Sequence, residues 1–185
     1  MIKNDKQIEI PLSKIKMILM FIGALAFIAI GMWFIIDPPE MSYRSGRRAI
    51  FGNPGFLFII GVISILFFGF VAIFIFKKLF DKKAGLIINQ KGIVDNSSGL
   101  SIGLILWSDI QGIETIKVNN QKFIMLILKN PQNYLDKVTN KLKRKGMEVN
   151  CKWYGSPISI SANTLQINHK DLYTLLSEKM KQYKE

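Results

Sequence analysis

Two uninterrupted apolar runs dominate the pattern of the chain. Met17 to Ile36 reads MILMFIGALAFIAIGMWFII and Phe56 to Phe76 reads FLFIIGVISILFFGFVAIFIF, neither with a charged residue. At about 1.5 Å rise per residue, either run as a helix spans roughly 30 Å, the thickness of bilayer hydrocarbon. A core helix of a soluble protein seldom runs this far without a polar face. The first run also resembles a signal peptide, with Lys14 and Lys16 before it and Ala24-Leu25-Ala26 inside it. A cleavable signal ends near such small residues, whereas here the run continues to Ile36, so an uncleaved anchor is expected.

Both runs have defined ends. Asp37-Pro38-Pro39 stops the first, because proline lacks the N–H and biases its predecessor away from the α region. Asn53-Pro54-Gly55 opens the second, and Lys77, Lys78, Lys82 and Lys83 close it as headgroup anchors. Trp33 falls near one interface. The connection from 37 to 55 is short, so the pair is expected to form an antiparallel hairpin. Gly23 and Gly31 are eight apart, as are Gly61 and Gly69. In an antiparallel pair Gly23 falls at the depth of Gly69 and Gly31 at that of Gly61, which marks all four as helix-packing positions. The strict G-x-x-x-G dimer spacing is absent.

From Ala84 onward no apolar run is long enough to span as a helix, and short strands are expected. Gly85 to Asn89 and Ile93 to Asn96 flank the turn Gln90-Lys91-Gly92. Leu100 to Trp107 contains Gly103, read as a bulge, and Ile110 to Val118 leads to a turn at Asn119-Asn120. Lys122 to Lys129 contains FIMLIL, apolar on both faces and therefore a central strand. A helix is then expected from Pro131 to Lys145, capped by Asn130, striped by Tyr134, Leu135, Val138 and Leu142, and ended by Gly146. Strands near Glu148 to Trp153 and Pro157 to Ser161 follow. A last helix starts at Asn168, with Asp171 completing a variant of the capping box.

The expected organisation is an N-terminal tail (1–16), a first span (17–36), a short extracytoplasmic loop (37–55), a second span (56–76), a basic linker (77–84) and a soluble domain (85–185). GLIINQKGIVDNSSG, ILWSDIQGIE, and NPQNYL followed later by GSPISIS resemble an uncharacterised family of small bacterial two-helix membrane proteins named after a locus tag. That resemblance covers nearly the whole chain and implies architecture rather than activity. The soluble part is also similar to bacterial pleckstrin-homology-like domains, in which a short W-x-D-I element, here Trp107-Ser108-Asp109-Ile110, follows the first strands. The implied fold class is a membrane α-helical hairpin plus an α+β domain. In that domain a pleckstrin-homology-like antiparallel sheet or barrel carries an inserted helix and a C-terminal helix.

Composition sharpens this picture. The 185 residues are 49% hydrophobic and carry 25 Lys and Arg against 13 Asp and Glu, a net charge of +12. Eleven basic and five acidic residues precede Ala84, so +6 lies on each side of that boundary. Lys3, Lys6, Lys14 and Lys16 before the hairpin, and the four lysines after it, outnumber Arg44, Arg47 and Arg48 in the loop. The positive-inside rule then places both termini in the cytoplasm of an inner or plasma membrane. The single Cys151 agrees with a reducing compartment and excludes an internal disulfide.

Catalytic, cofactor and metal sites are not expected. His169 has no nucleophile context near it, Cys151 reads as a small core residue, and no Gly-rich phosphate loop occurs. Lys137, Lys141 and Lys145 are spaced i, i+4, i+8 with Arg144 beside them, which would stack a basic face on one helix. Near a bilayer each such residue is worth about 1 kcal/mol toward anionic headgroups. These four residues form the expected surface for anionic lipid or a protein partner. The leading expectation is a membrane-anchored, non-enzymatic binding module. The alternative is a structural, accessory or immunity-type membrane subunit acting through its hairpin. Bilayer lipid and a protein partner are the expected contacts, with room for a homo-oligomer and no role for nucleic acid.

Overall fold

A computed structural model describes residues 7–39 and 53–184. The expected contributions of Lys3, Lys6, Arg44, Arg47 and Arg48, and most of the inter-helix loop, therefore lie outside the described residues. The chain divides into two units, one of residues 14–82 and one of residues 1–13 with 83–185.

The first unit is a pair of helices, α1 (Lys14–Ile36) and α2 (Pro54–Leu79). Both are long and apolar enough to cross a membrane, and only 11% of the most apolar stretch of each is buried. A soluble protein's core helix of this hydropathy would bury most of its surface; here Leu19, Phe27, Leu66 and Phe70 point outward. Asn53 caps α2, its Oδ1 accepting from the Gly55 N–H at 2.9 Å, and Pro54 takes the first helical position. The helices run antiparallel. Phe21 lies 5.9 Å from Phe76 and Phe27 stacks on Phe68 at 4.3 Å between centroids. Ser64 Oγ donates to the Phe27 carbonyl at 3.0 Å, and Lys14 Nζ donates to the Leu79 and Asp81 carbonyls at the other end.

The second unit is built on two antiparallel sheets. The four-stranded sheet has the order β1 (Ile8–Ile10), β2 (Leu86–Ile88), β3 (Gly92–Asp95), β4 (Gly103–Leu106). The three-stranded sheet has the order β5 (Ile110–Val118), β6 (Gln121–Leu128), β7 (Ser159–Ile160). Ile124, Met125 and Leu126 are all buried, as a central strand apolar on both faces requires. Asn119 and Asn120 turn the β5–β6 hairpin at φ 45° and 67°, left-handed values that asparagine tolerates and that match the strand twist.

Strand β1 departs from the expected N-terminal tail. Ile8 pairs with Ile88 and Ile10 with Leu86, so residues that precede the helices complete the sheet that follows them. The contact continues past the strand. Leu12 bridges Leu165, the Gln166 N–H donates to the Pro11 carbonyl at 3.0 Å, and the Ser13 N–H donates to the Thr164 carbonyl at 2.8 Å. Burying Ile10, Leu12, Leu86, Ile88 and Leu165 together contributes roughly 1.5–3 kcal/mol per side chain.

The region after β6 also differs from expectation. A single turn, α3 (Gln132–Leu135), replaces the long helix from Pro131, and a new helix, α4 (Lys141–Tyr154), covers the segment expected to end in a strand. Asn140 caps α4 by accepting from the Lys143 N–H at 3.0 Å, and Gly155 ends it in the left-handed region at φ 76°. Gly146 sits inside α4 rather than after it, against Leu100, whose Cδ2 a Cβ there would meet at 3.1 Å. Gly103 begins β4 at φ 83° instead of bulging within it. The last helix, α5 (His169–Lys184), starts as expected. Asn168 Oδ1 accepts from the Asp171 N–H at 2.9 Å, while Asn168 Nδ2 donates to Asp171 Oδ2 at 2.7 Å. Leu172 and Leu176 bury α5 beside β5 and β6.

Candidate functional site

Trp107-Ser108-Asp109 forms a 3₁₀ turn between the two sheets. Trp107 is buried, its indole Nε1 donates to the Asn89 carbonyl at 2.8 Å, and its ring lies 5.9 Å from Tyr183 of α5. Asp109 Oδ2 accepts from the Tyr134 hydroxyl at 2.7 Å, and that hydroxyl accepts from the Leu106 N–H at 3.2 Å. Burial, then the bond to Asp109, pushes the phenol pKa up to about 12, so it stays a donor at any physiological pH. W-x-D-I is thus a structural corner that joins both sheets to α3 and α5.

The four residues expected to share one basic face are regrouped. Lys137 lies in the turn after α3, with Nζ 4.7 Å from the centre of the Tyr134 ring, and is not on α4. Arg144 Nε donates to Glu148 at 3.0 Å and its Nη2 to Asp136 at 3.1 Å, so its charge is already met within the domain. These acceptors raise its pKa further. Only Lys141 and Lys145 remain together on the outer side of α4. The physical reason is the break at 136–140, which starts a new helix and changes the angular phase of everything after it. Lys143, absent from the expected face, donates to the Ser101 carbonyl and borders a polar depression of about 180 Å³ with Lys137 and Asn140.

The inner side of α4 covers the three-stranded sheet. Met147 is fully buried, Asn150 Nδ2 donates to Ser159 Oγ at 3.3 Å, and Tyr154 borders an apolar cavity of about 170 Å³ with Ile116, Phe123 and Met125. Its outer side carries Leu142, Val149 and Trp153, all exposed. Leu142 was expected in the buried stripe, and the same phase change turns it outward.

In the helical pair, Gly31 and Gly61 face each other. A Cβ on Gly61 would stand 2.6 Å from the Gly31 carbonyl oxygen, and one on Gly31 would stand 2.9 Å from that of Gly61. Gly23 and Gly69 do not form a second such contact, since a Cβ at either meets nothing within 4 Å. Gly69 instead lines an apolar crevice of about 580 Å³ with Phe21, Ile28, Ala72, Ile73 and Phe76. Of the lysines closing α2, Lys77 and Lys78 lie in its last turn, and Lys78 pairs with Asp81 Oδ2 at 2.8 Å. Lys82 and Lys83 follow the helix.

No protein-family model matches the chain, and no curated protein or solved structure matches it either. Among the described residues no group of three or more His, Cys, Asp or Glu side chains gathers as a metal site. Cys151 is half-buried on α4. His169 begins α5 with its Nε2 buried and without a hydrogen-bond partner among the described residues. Burial lowers its pKa, Lys122 adds to the effect, and a hydrogen bond with the Phe123 backbone opposes it. Residues missed in the sequence are Lys152 and Trp153, hidden because Met147, Val149, Cys151 and Trp153 alternate like a strand. The signal that would have found them is the pair Asn140 and Gly155, an N-cap and an αL C-cap bracketing one helix.

Proposed function

We propose that the chain is a membrane-anchored, non-enzymatic binding module. Its helical hairpin crosses an inner or plasma membrane twice, and a cytoplasmic pleckstrin-homology-like domain contacts anionic lipid or a protein partner. The observation that carries the anchoring is the pairing of β1 with β2. Strands on both sides of the hairpin enter one sheet, so the hairpin must leave and return to the same side of a bilayer. That supports two crossings over one, and the lysine-rich flanks favour the cytoplasmic side. Two sheets of four and three strands closed by a C-terminal helix support the pleckstrin-homology-like reading, as does the W-x-D-I corner between them. Fold alone does not choose the ligand.

Topology reporters fused at Asn53 and after Glu185 test the reading. The expected result is an external signal at Asn53, a cytoplasmic one at the C-terminus, and resistance of the protein to alkaline extraction. A C-terminus outside the cytoplasm, or release from the membrane at alkaline pH, overturns it.

The alternative, an accessory or immunity-type subunit acting through its hairpin, is favoured by the crescent beside Gly69. That apolar crevice, at Phe21, Ile28 and Ala72, has the size to receive a further helix or an acyl chain. Replacing both spans with unrelated apolar helices separates the two. Retained phenotype supports the binding domain, and lost phenotype with correct topology supports the hairpin.

A further inference from the structure

Helix α4 carries apolar side chains on two opposite faces, and only one of them is covered. Leu142, Val149 and Trp153 are 73%, 45% and 69% exposed. Their spacing of seven and four residues places them within about 20° of one line along the helix. Lys141, Lys145 and Lys152 run along one flank of this ridge and make no ion pair with a described residue. Glu148 is the acid on that flank, and it is engaged by Arg144 at 3.0 Å.

We infer that this outer face of α4 is a lipid-docking surface, which sets the ridge into the headgroup region of an anionic bilayer with its lysines on the headgroup charges. The inference rests on the membrane-anchored reading and names the surface and partner for it. Lysine stems lie along apolar surface while their ammonium groups reach outward, and indole prefers the membrane interface. An apolar ridge ending in Trp153 and edged by three lysines that pair with no described residue is therefore matched to anionic lipid. A protein partner would have to supply an acid for each lysine and an apolar slot for the ridge. The surface differs from the one read in the sequence, since Arg144 and Lys137 drop out and Lys152, Leu142, Val149 and Trp153 enter.

The test uses the full chain in nanodiscs of phosphatidylcholine, alone or with phosphatidylglycerol. An environment-sensitive fluorophore is placed on Leu142→Cys, and separately on Val149→Cys, in a Cys151→Ser background. The expected result is a blue-shifted emission, quenched by brominated acyl chains, in the anionic discs only. Changing Lys141, Lys145 and Lys152 to Glu should abolish the shift, whereas Arg144→Gln should leave it. Water-like emission in anionic discs overturns the inference. So does equal shielding in neutral discs, which would assign the ridge to a second copy of the chain. Protease protection of the hairpin in the same discs separates the α4 surface from the membrane anchoring it rests on. A protected hairpin with a water-exposed label defeats only the α4 surface, and a chain that fails to integrate defeats the anchored reading with it.

Discussion

Tyr134 shows how one hydroxyl joins elements that share no strand pairing. It donates to Asp109 and accepts from the edge-strand N–H of Leu106 while its ring is buried. Tyr134→Phe leaves both partners without that bond at nearly constant volume. The expected cost is about 1–3 kcal/mol, read as a lower unfolding midpoint by urea titration of the detergent-solubilised protein. His169 predicts a pH dependence. Its folded pKa lies below the ordinary value of 6.5, so on acidification the unfolded chain binds the proton first. The stability linked to this group is complete above about pH 6.5 and declines as pH falls toward the folded pKa. The thermal midpoint should therefore drop on acidification, and His169→Gln should flatten part of that drop; an unchanged slope would refute the assignment.

Among the elements, the helical hairpin and α4 make the sharpest contrast between what is written in the chain and what is not. Uninterrupted apolar runs bounded by Asp-Pro-Pro and Asn-Pro-Gly were enough to place α1 and α2 within a few residues, because length and hydropathy need no tertiary partner. Asn168 with Asp171 marked the start of α5 for the same reason, since the cap is local. In α4 the local signals competed: alternating Met147, Val149, Cys151 and Trp153 mimic a strand, and Gly146 mimics a helix end. Gly146 instead lies against Leu100 inside the helix, and no local pattern reports that contact. The glycine pairs divide likewise, as equal depth is expected of both but only Gly31 and Gly61 touch. Gly61→Leu should therefore destabilise the helix pair by about 1–3 kcal/mol through overpacking, and Gly23→Ala should not. Disulfide trapping between cysteines introduced at Phe27 and Phe68 would report the difference as slower cross-linking in the Leu variant alone.

For the whole molecule, the sheet partner of β2 was invisible in the sequence because Ile8 to Leu12 is too short and too distant from it to announce a pairing. Register between segments flanking two long helices is a tertiary fact. It predicts that residues 83–184 alone expose Leu86 and Ile88 along an open edge and lack Leu12 against Leu165. Such a fragment should melt without a cooperative transition, followed by circular dichroism. Joining residues 7–13 to it through a flexible linker in place of the hairpin should restore one, since closure entropy grows only slowly with loop length. A cooperative melt of the bare fragment would show that β1 is dispensable.

Pairing across the hairpin also imposes an order on biosynthesis. The β1 segment leaves the ribosome before either helix, while its partner is made only after both. Until then its isoleucines have no strand to meet, and the domain cannot close as its N-terminal part emerges, the usual course for a domain made in one piece. Under the proposed anchoring, helix insertion comes first, and by returning the chain to the side it left, insertion itself delivers β2 to β1. A chain in which β1 and β2 are kept apart is left with an unsatisfied sheet edge, a feature that quality-control proteases and chaperones can recognise. On that reading, completion of the domain in the full chain reads out the return of the hairpin to the side it left.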